Sequence, residues 1–267
     1  MTADERQRIV LITGASAGLG EALALACAQK GWRLALGARR LDRLEAVAKR
    51  AREAGAVVHA GALDVTDEHS VERFFAESEA ALGVADVIVN NAGLSKPGLL
   101  HESNTADLRR EVETNLLGVL FVTRRGVAAL VENGKRGDVV FVGSDAATLP
   151  RPGQATYSAT KGALETLCTS LSRELEGTGV RIIRLRLGPA MSEFAAEWDL
   201  SPEALEMRTE LFRRFGLRDA RHLGNVMPAA EVADAILFAV GRRPGVVVDT
   251  IDMYPEAPLG NAVKGLR

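Results

Sequence analysis

Short runs of apolar, largely β-branched residues recur along this chain, separated by segments with helical spacing, and that alternation constrains the fold more than any other feature. The runs cover Ile9–Thr13 and Val180–Leu187, together with 34–38, 57–62, 86–89, 138–142 and 246–251. They are nearly continuous in apolar character, as strands covered on both faces are. Between them, segments such as 41–54 place Leu44, Val47, Ala48 and Ala51 on one side of a helix. Strand, helix and strand repeated in this way imply right-handed crossovers and a parallel sheet. The sequence therefore predicts an α/β fold: one doubly wound parallel sheet of about seven strands, helices on both faces, and a single domain spanning 1–267. The rhythm breaks once, between Pro189 and Pro228, where Phe194, Trp198, Phe212 and Phe215 lie among many charges. That stretch is too long for a simple connection, and we expect a partly helical lid over a substrate site at about 189–228.

Composition excludes several partners. With a formal net charge of -2, nothing calls for nucleic acid or an anionic membrane surface. The longest apolar runs, 22–28 and 116–122, are short for a bilayer span, and the charged start MTADERQR leaves no room for a signal peptide before Ile9. Cys27 and Cys168 fall in apolar helical stretches and read as buried free thiols in a reducing compartment. His59, His69, His101 and His222 have no metal-ligand spacing to Cys, Asp or Glu, so no metal is expected. The expectation is a cytoplasmic protein.

The first strand runs through Thr13-Gly14-Ala15-Ser16-Ala17-Gly18-Leu19-Gly20 directly into a helix at 21–30. A glycine-rich turn at a helix N-terminus presents N–H groups to an anion and lets the backbone approach it. The spacing is Gly-x-x-x-Gly-x-Gly, not the usual dinucleotide pattern Gly-x-G-x-x-Gly. The second strand ends Gly37-Ala38-Arg39-Arg40, with no carboxylate for a ribose 2′-hydroxyl and two guanidinium groups suited to a 2′-phosphate. Arginines at a helix start oppose its dipole, so a ligand is the better reason for them. NADP(H) is the cofactor expected.

Tyr157 and Lys161 stand four apart in a helical segment at 156–175, on one face. An ammonium beside a phenol favours the phenolate and lowers its pKa, which suits a tyrosine to giving and taking a proton. Ser144 follows the fifth strand, at the carboxyl edge where ligands of doubly wound sheets sit.

Taken in order, the glycine turn, Asp64-Val65, Asn90-Asn91-Ala92-Gly93, Asn115, Ser144 and Tyr157-Ser158-Ala159-Thr160-Lys161 resemble the short-chain dehydrogenase/reductase family over nearly the whole chain. The resemblance implies a Rossmann-type sheet and transfer of a hydride between nicotinamide and a carbonyl or secondary alcohol. It makes Tyr157 the general acid in reduction and base in oxidation, with Lys161 lowering its pKa and holding the nicotinamide ribose. Ser144 would bond the substrate carbonyl, and Asn115 would support a proton relay through water. Asp64 would reach the adenine amino group with Val65 beside it, while Asn90 and Gly93 would shape the floor under the cofactor and Asn91, Ala92 and Gly93 would contact it. Asp64 also reads as a helix-capping carboxylate before Thr66-Asp67, and Asn115 as a bridge within its helix.

One stretch departs from the family pattern. Leu187-Gly188-Pro189-Ala190-Met191-Ser192 keeps the glycine but moves the proline behind it, and Ser192 stands where a threonine is usual. Contacts of Gly188, Ala190 and Ser192 with the nicotinamide follow from the resemblance. Substrate contacts are expected from Ser144, Gln154, Tyr157, Phe194 and Trp198, with 94–97 and Ala146 nearby, in an apolar pocket with few polar groups. An apolar stripe, Leu164, Leu167, Leu171 and Leu175, faces either its own sheet or a partner copy. The family resemblance implies a homodimer or homotetramer. The alternatives are a β-ketoacyl reductase acting on a carrier or coenzyme A, and a non-catalytic NADP(H)-binding regulator on the same fold.

Overall fold

A computed structural model of the chain describes residues 8–190 and 226–256, with Ser201, Glu206 and Glu210 between them. Most of the expected lid, including Ser192, Phe194 and Trp198, lies outside the described residues. Seven strands form one sheet: β1 (Ile9–Thr13), β2 (Arg33–Ala38), β3 (Val58–Ala62), β4 (Val87–Asn90), β5 (Gly137–Val142), β6 (Val180–Leu187) and β7 (Thr250–Met253). Their order is β3-β2-β1-β4-β5-β6-β7, and every adjacent pair is parallel. The helices are α1 (Gly18–Gln29), α2 (Leu41–Glu53), α3 (Glu68–Leu82), α4 (Thr105–Val112), α5 (Gly118–Glu132), α6 (Ala155–Glu174) and α7 (Ala229–Val240).

Two apolar cores flank the sheet. Alternate residues of β1 go to opposite sides, Val10 and Ile12 with α1, α2 and α7, Ile9 and Leu11 with α3, α5 and α6. Every β1 residue is buried, which is why its sequence shows no polar alternation. Cys27 belongs to the first core and Cys168 to the second; both are free thiols, pushed up in pKa by burial. The leucine stripe of α6 packs on the second core: Leu164 and Leu175 are buried there, with Leu167 and Leu171 partly buried against it.

The last strand departs from expectation. The run 246–251 reads as β-branched, yet β7 begins at Thr250. Gly245 has φ of +87°, and the Val246 N–H closes a turn onto the Arg243 carbonyl. The chain therefore reaches the sheet late, pairing Thr250 with Arg184 of β6 and leaving Val247 exposed. A second departure lies between α4 and α5, where Glu113–Leu117 forms a π-helical turn within one helical run, Thr105–Glu132. By length and composition alone that run is apolar enough to cross a membrane. Half of its apolar window is buried inside the protein, with Val119, Val122 and Leu130 in the second core.

Two glycines in one part of the fold should behave oppositely. A Cβ on Gly143 would sit 2.4 Å from the Leu185 backbone oxygen, which cannot move without parting β5 from β6. A Cβ on Gly162, within α6, would meet nothing within 4 Å. Gly143→Ala should destabilise by about 1–3 kcal/mol, whereas Gly162→Ala should stabilise by roughly 0.5–1 kcal/mol. Denaturant unfolding of the two variants checks both signs.

Candidate active site

Strand order reverses between β1 and β4, so the connections leaving their carboxyl ends diverge and open a crevice. On one wall lies the glycine turn. Gly14 and Gly18 have φ of +67° and +59°, and a Cβ on Gly20 would lie 2.5 Å from the Gly14 carbonyl oxygen, so the turn tolerates no side chain there. Ala17 precedes α1 in extended conformation without capping it through a side chain. Ser16, Leu19 and Gly20 are buried at the base of the turn.

The Thr13 hydroxyl fastens this wall to the next. It donates to the Val89 carbonyl at 3.2 Å and accepts from the N–H groups of Asn91 and Ala92, each at 3.0 Å. The Asn91 amide donates to the carbonyls of Thr13 and Gly14 at 2.8 and 3.2 Å, so it braces the glycine turn. Asn90 is buried and donates to the Thr123 hydroxyl. Arg39 and Arg40 are exposed at the end of β2, and Arg40 reaches the Ser16 hydroxyl at 3.3 Å.

Asp64 does not cap α3. Its Oδ1 accepts from the N–H and hydroxyl of Thr66, at 3.0 and 2.8 Å, while Asp67 takes the capping place by accepting from the His69 N–H. Val65 is buried, and a Cβ on Gly118 would lie 2.7 Å from its Cγ2. Gly188 donates its N–H to the Met253 carbonyl, and Ala190 bridges to Met227.

The hydroxyl, phenol and amine expected to act together do meet. Ser144 opens a short 3-10 turn, Asp145–Ala147, directly after β5, and its Oγ accepts from the Ala146 N–H at 3.2 Å. Tyr157 and Lys161 occupy the first turns of α6, 8% and 6% exposed. Tyr157 is hydrogen-bonded to Ser144. The Lys161 ammonium lies 5.7 Å from the centre of the Tyr157 ring and donates to the Val142 carbonyl at 2.8 Å. Asn115 sits in the π-helical turn, fully buried; its Oδ1 accepts from the Leu94 N–H at 2.9 Å and its Nδ2 donates to the Leu94 carbonyl at 2.8 Å. That two-way clasp holds the loop after β4, where a Cβ on Gly93 would come within 3.9 Å of Lys161 Nζ.

Burial governs both titrating groups. It pushes the Tyr157 phenol up to about 12, against the hydrogen bond with Ser144; Asp145 and Glu111 push the same way and Arg151 opposes them. It pulls the Lys161 ammonium down to about 8. In the free protein, then, desolvation outweighs the lowering expected from the ammonium.

Three charged residues near these hydroxyls were not anticipated. Asp145 is 1% exposed and held by Arg151 through two N–H bonds. Glu111 is 2% exposed, accepts from the Lys96 N–H at 2.6 Å, bonds Ser95, and is pushed up in pKa by burial. The available signal was Asp145 itself, a carboxylate set directly behind Ser144 at the end of a buried strand. Gln154 stands just before α6 with its Oε1 buried and no hydrogen-bond partner among the described residues. Ala146 is buried beneath Ser144.

Residues 8–202 match the short chain dehydrogenase family. The chain belongs to that family. Among its relatives, sulfoacetaldehyde reductase of Chromohalobacter salexigens is 37% identical over 248 residues, 92% of this chain and 93% of the relative. Among solved structures, an alcohol dehydrogenase of the archaeon Thermococcus sibiricus complexed with 5-hydroxy-NADP superposes with a TM-score of 0.79 at 29% identity, covering 94% of this chain and 98% of that one. A 3-ketoacyl-(acyl-carrier-protein) reductase of Brucella melitensis complexed with NADH gives 0.79 at 26% identity, covering 92% and 96%. This short-chain dehydrogenase is thus an oxidoreductase of alcohol or carbonyl groups on a Rossmann-type sheet.

The lowered pKa of Lys161 has a measurable consequence. Between about 8 in the folded chain and 10.5 in the unfolded one, the unfolded state holds more protons, so stability from this group rises with pH across that window. Below it, the buried charge is a constant burden. The stability of Lys161→Met relative to the parent should therefore be highest near pH 7 and fall by on the order of 3 kcal/mol by pH 10.5. Unfolding at a series of pH values reads this directly.

Proposed function

We propose that this protein is an NADP(H)-dependent oxidoreductase that moves a hydride between nicotinamide and a carbonyl or secondary alcohol carbon, with Tyr157 as the proton donor and acceptor. The observation that carries the reading is the buried Ser144–Tyr157 hydrogen bond with Lys161 one turn further along α6, across the loop after β4 from the glycine turn. The crevice suits a dinucleotide: its turn is free of side chains at Gly20, and α1 begins without a side-chain cap, ready for a pyrophosphate. Arg39 and Arg40, with no carboxylate at the end of β2, suit a 2′-phosphate. The bound nicotinamide supplies or accepts the hydride.

The chain's own residues handle the oxygen. The Ser144 hydroxyl donates to the substrate carbonyl and stabilises negative charge developing there. Tyr157, protonated at neutral pH, gives its proton to that oxygen in reduction and recovers one when the alcohol is oxidised. Lys161 keeps an ammonium beside the phenol, stabilises the phenolate once the proton leaves, and would hold the nicotinamide ribose. Asn115 keeps the floor of the crevice against Lys161 by clasping Leu94. Gln154, whose buried oxygen has no hydrogen-bond partner among the described residues, would receive a hydrogen bond from substrate. The half-exposed Val112, Leu117 and Val131 on one helical run support assembly into a homodimer or homotetramer.

Loss of NADPH absorbance across a panel of aldehydes, ketones and β-keto esters tests the reading. Tyr157→Phe should cut turnover by roughly a hundredfold or more while leaving NADPH binding intact. Retained turnover removes Tyr157 as proton donor. Arg39→Asp should move the preference from NADPH toward NADH by about tenfold or more in kcat/KM. An unchanged ratio removes Arg39 as the phosphate reader.

A further inference from the structure

Asp145 and Arg151 have no part in the proton transfer just described, yet they touch it. Asp145 directly follows Ser144, and its side chain is 2% exposed. A carboxylate there would be costly to bury alone. Arg151 offsets it from across the turn, with Nη1 donating to Oδ1 at 3.1 Å and Nη2 to Oδ2 at 2.5 Å. The turn holding the pair is itself locked. The N–H groups of Thr148 and Leu149 both donate to the Asp145 carbonyl, and that of Ala147 donates to the Ser144 carbonyl.

Ser144 has one proton to give. It can go to Asp145 Oδ1, to Tyr157 or to a substrate oxygen. The distance to Oδ1 is 3.3 Å, well beyond the roughly 2.7–2.8 Å of a firm O–H···O bond, and Oδ1 already accepts from Arg151. We propose that the Asp145–Arg151 pair is a positioning device for the Ser144 and Tyr157 hydroxyls: by drawing on both carboxylate oxygens, Arg151 weakens their hold on the serine proton, so that it can turn to substrate, and presents the phenol with a neutralised pair. Without Arg151, the Asp145 carboxylate loses its guanidinium, draws on the serine hydroxyl more strongly and faces the phenol with its charge less offset.

The inference rests on Tyr157 and Ser144 acting as proposed above. Among the described residues, the charges facing Tyr157 are Asp145 and Arg151 from the segment after β5, Glu111 from α4, and Lys161 on its own helix. Asp145 and Glu111 favour the protonated phenol, and Arg151 favours the phenolate. Removing one member of the pair should therefore act oppositely to removing the other, which a merely structural role would not produce.

The chain has two tyrosines, so a Tyr254→Phe background reports Tyr157 alone by tyrosinate absorbance. At one alkaline pH, Asp145→Asn should raise the ionised fraction and Arg151→Gln lower it, each by about threefold. The double variant should return close to the background, and Arg151→Lys should fall between Arg151→Gln and the background. With Tyr254 restored, Arg151→Gln should lower kcat for carbonyl reduction by about tenfold with little change in KM, less than the loss of a whole oxyanion donor. Equal shifts in one direction, or none in either single variant, overturn the proposal. If Arg151→Gln does not fold by circular dichroism, Asp145→Asn and the double variant decide it through a raised and a restored ionised fraction. A parent without hydride transfer refutes the proposed function instead, and the absorbance comparison still decides whether the pair controls the phenol.

Discussion

The hydrogen bond from the Lys161 ammonium to the Val142 carbonyl joins α6 to the end of β5 at the point where the sheet opens its crevice. It brings a buried amine beside a buried phenol, and the phenol to the serine that follows the same strand. Both groups are shifted against their charged forms by loss of water. A phenol that keeps its proton at neutral pH has one to give, and an ammonium at its ring would offset the negative charge left on the oxygen when the proton departs. Chemistry at this site is therefore set by burial first and by neighbouring charges second.

What keeps that corner in place is the loop after β4, which separates the glycine turn from α6. It is fastened at three points: the N–H groups of Asn91 and Ala92 to the Thr13 hydroxyl, Leu94 to the Asn115 amide, and the Lys96 N–H to Glu111. The last two anchors come from the helical run that contains the π-helical turn. Such a turn inserts extra backbone into the helix and changes which side chains face inward, and it is common at functional sites. Here Glu111, Thr114, Asn115, Gly118 and Val119 are all buried across it. The same run thus serves the second core at one end and the crevice at the other.

Much of this was legible in the residues. Six strands are legible to within a residue or so at each end because their runs are short and apolar between helical segments, and β1, β2 and β4 are buried almost throughout. The seventh was not: valines at 246–248 have strand-forming side chains, but Gly245 at positive φ and the turn onto Arg243 delay entry into the sheet. The meeting of Ser144, Tyr157 and Lys161 followed from helical spacing and the family pattern. Asp64 was open between two readings, and the Thr66 hydroxyl decided part of it by making a local turn. The π-helical turn was hidden because its sequence, Glu-Thr-Asn-Leu-Leu, carries no breaker. Asp145, Arg151 and Glu111 were passed over because charges usually read as solvated; only the fold shows two of them as buried carboxylates, one neutralised by Arg151 and the other satisfied by backbone.

Hydride transfer at this corner of the sheet is the chemistry on which everything else depends. Incubating the protein with a carbonyl substrate and NADPH carrying deuterium at the nicotinamide C4 position measures that most directly. Deuterium is expected on the new carbinol carbon, on a single face, by mass spectrometry and NMR. Product whose carbinol carbon bears only solvent-derived hydrogen, or no product from any carbonyl compound while NADPH is demonstrably bound, would contradict it.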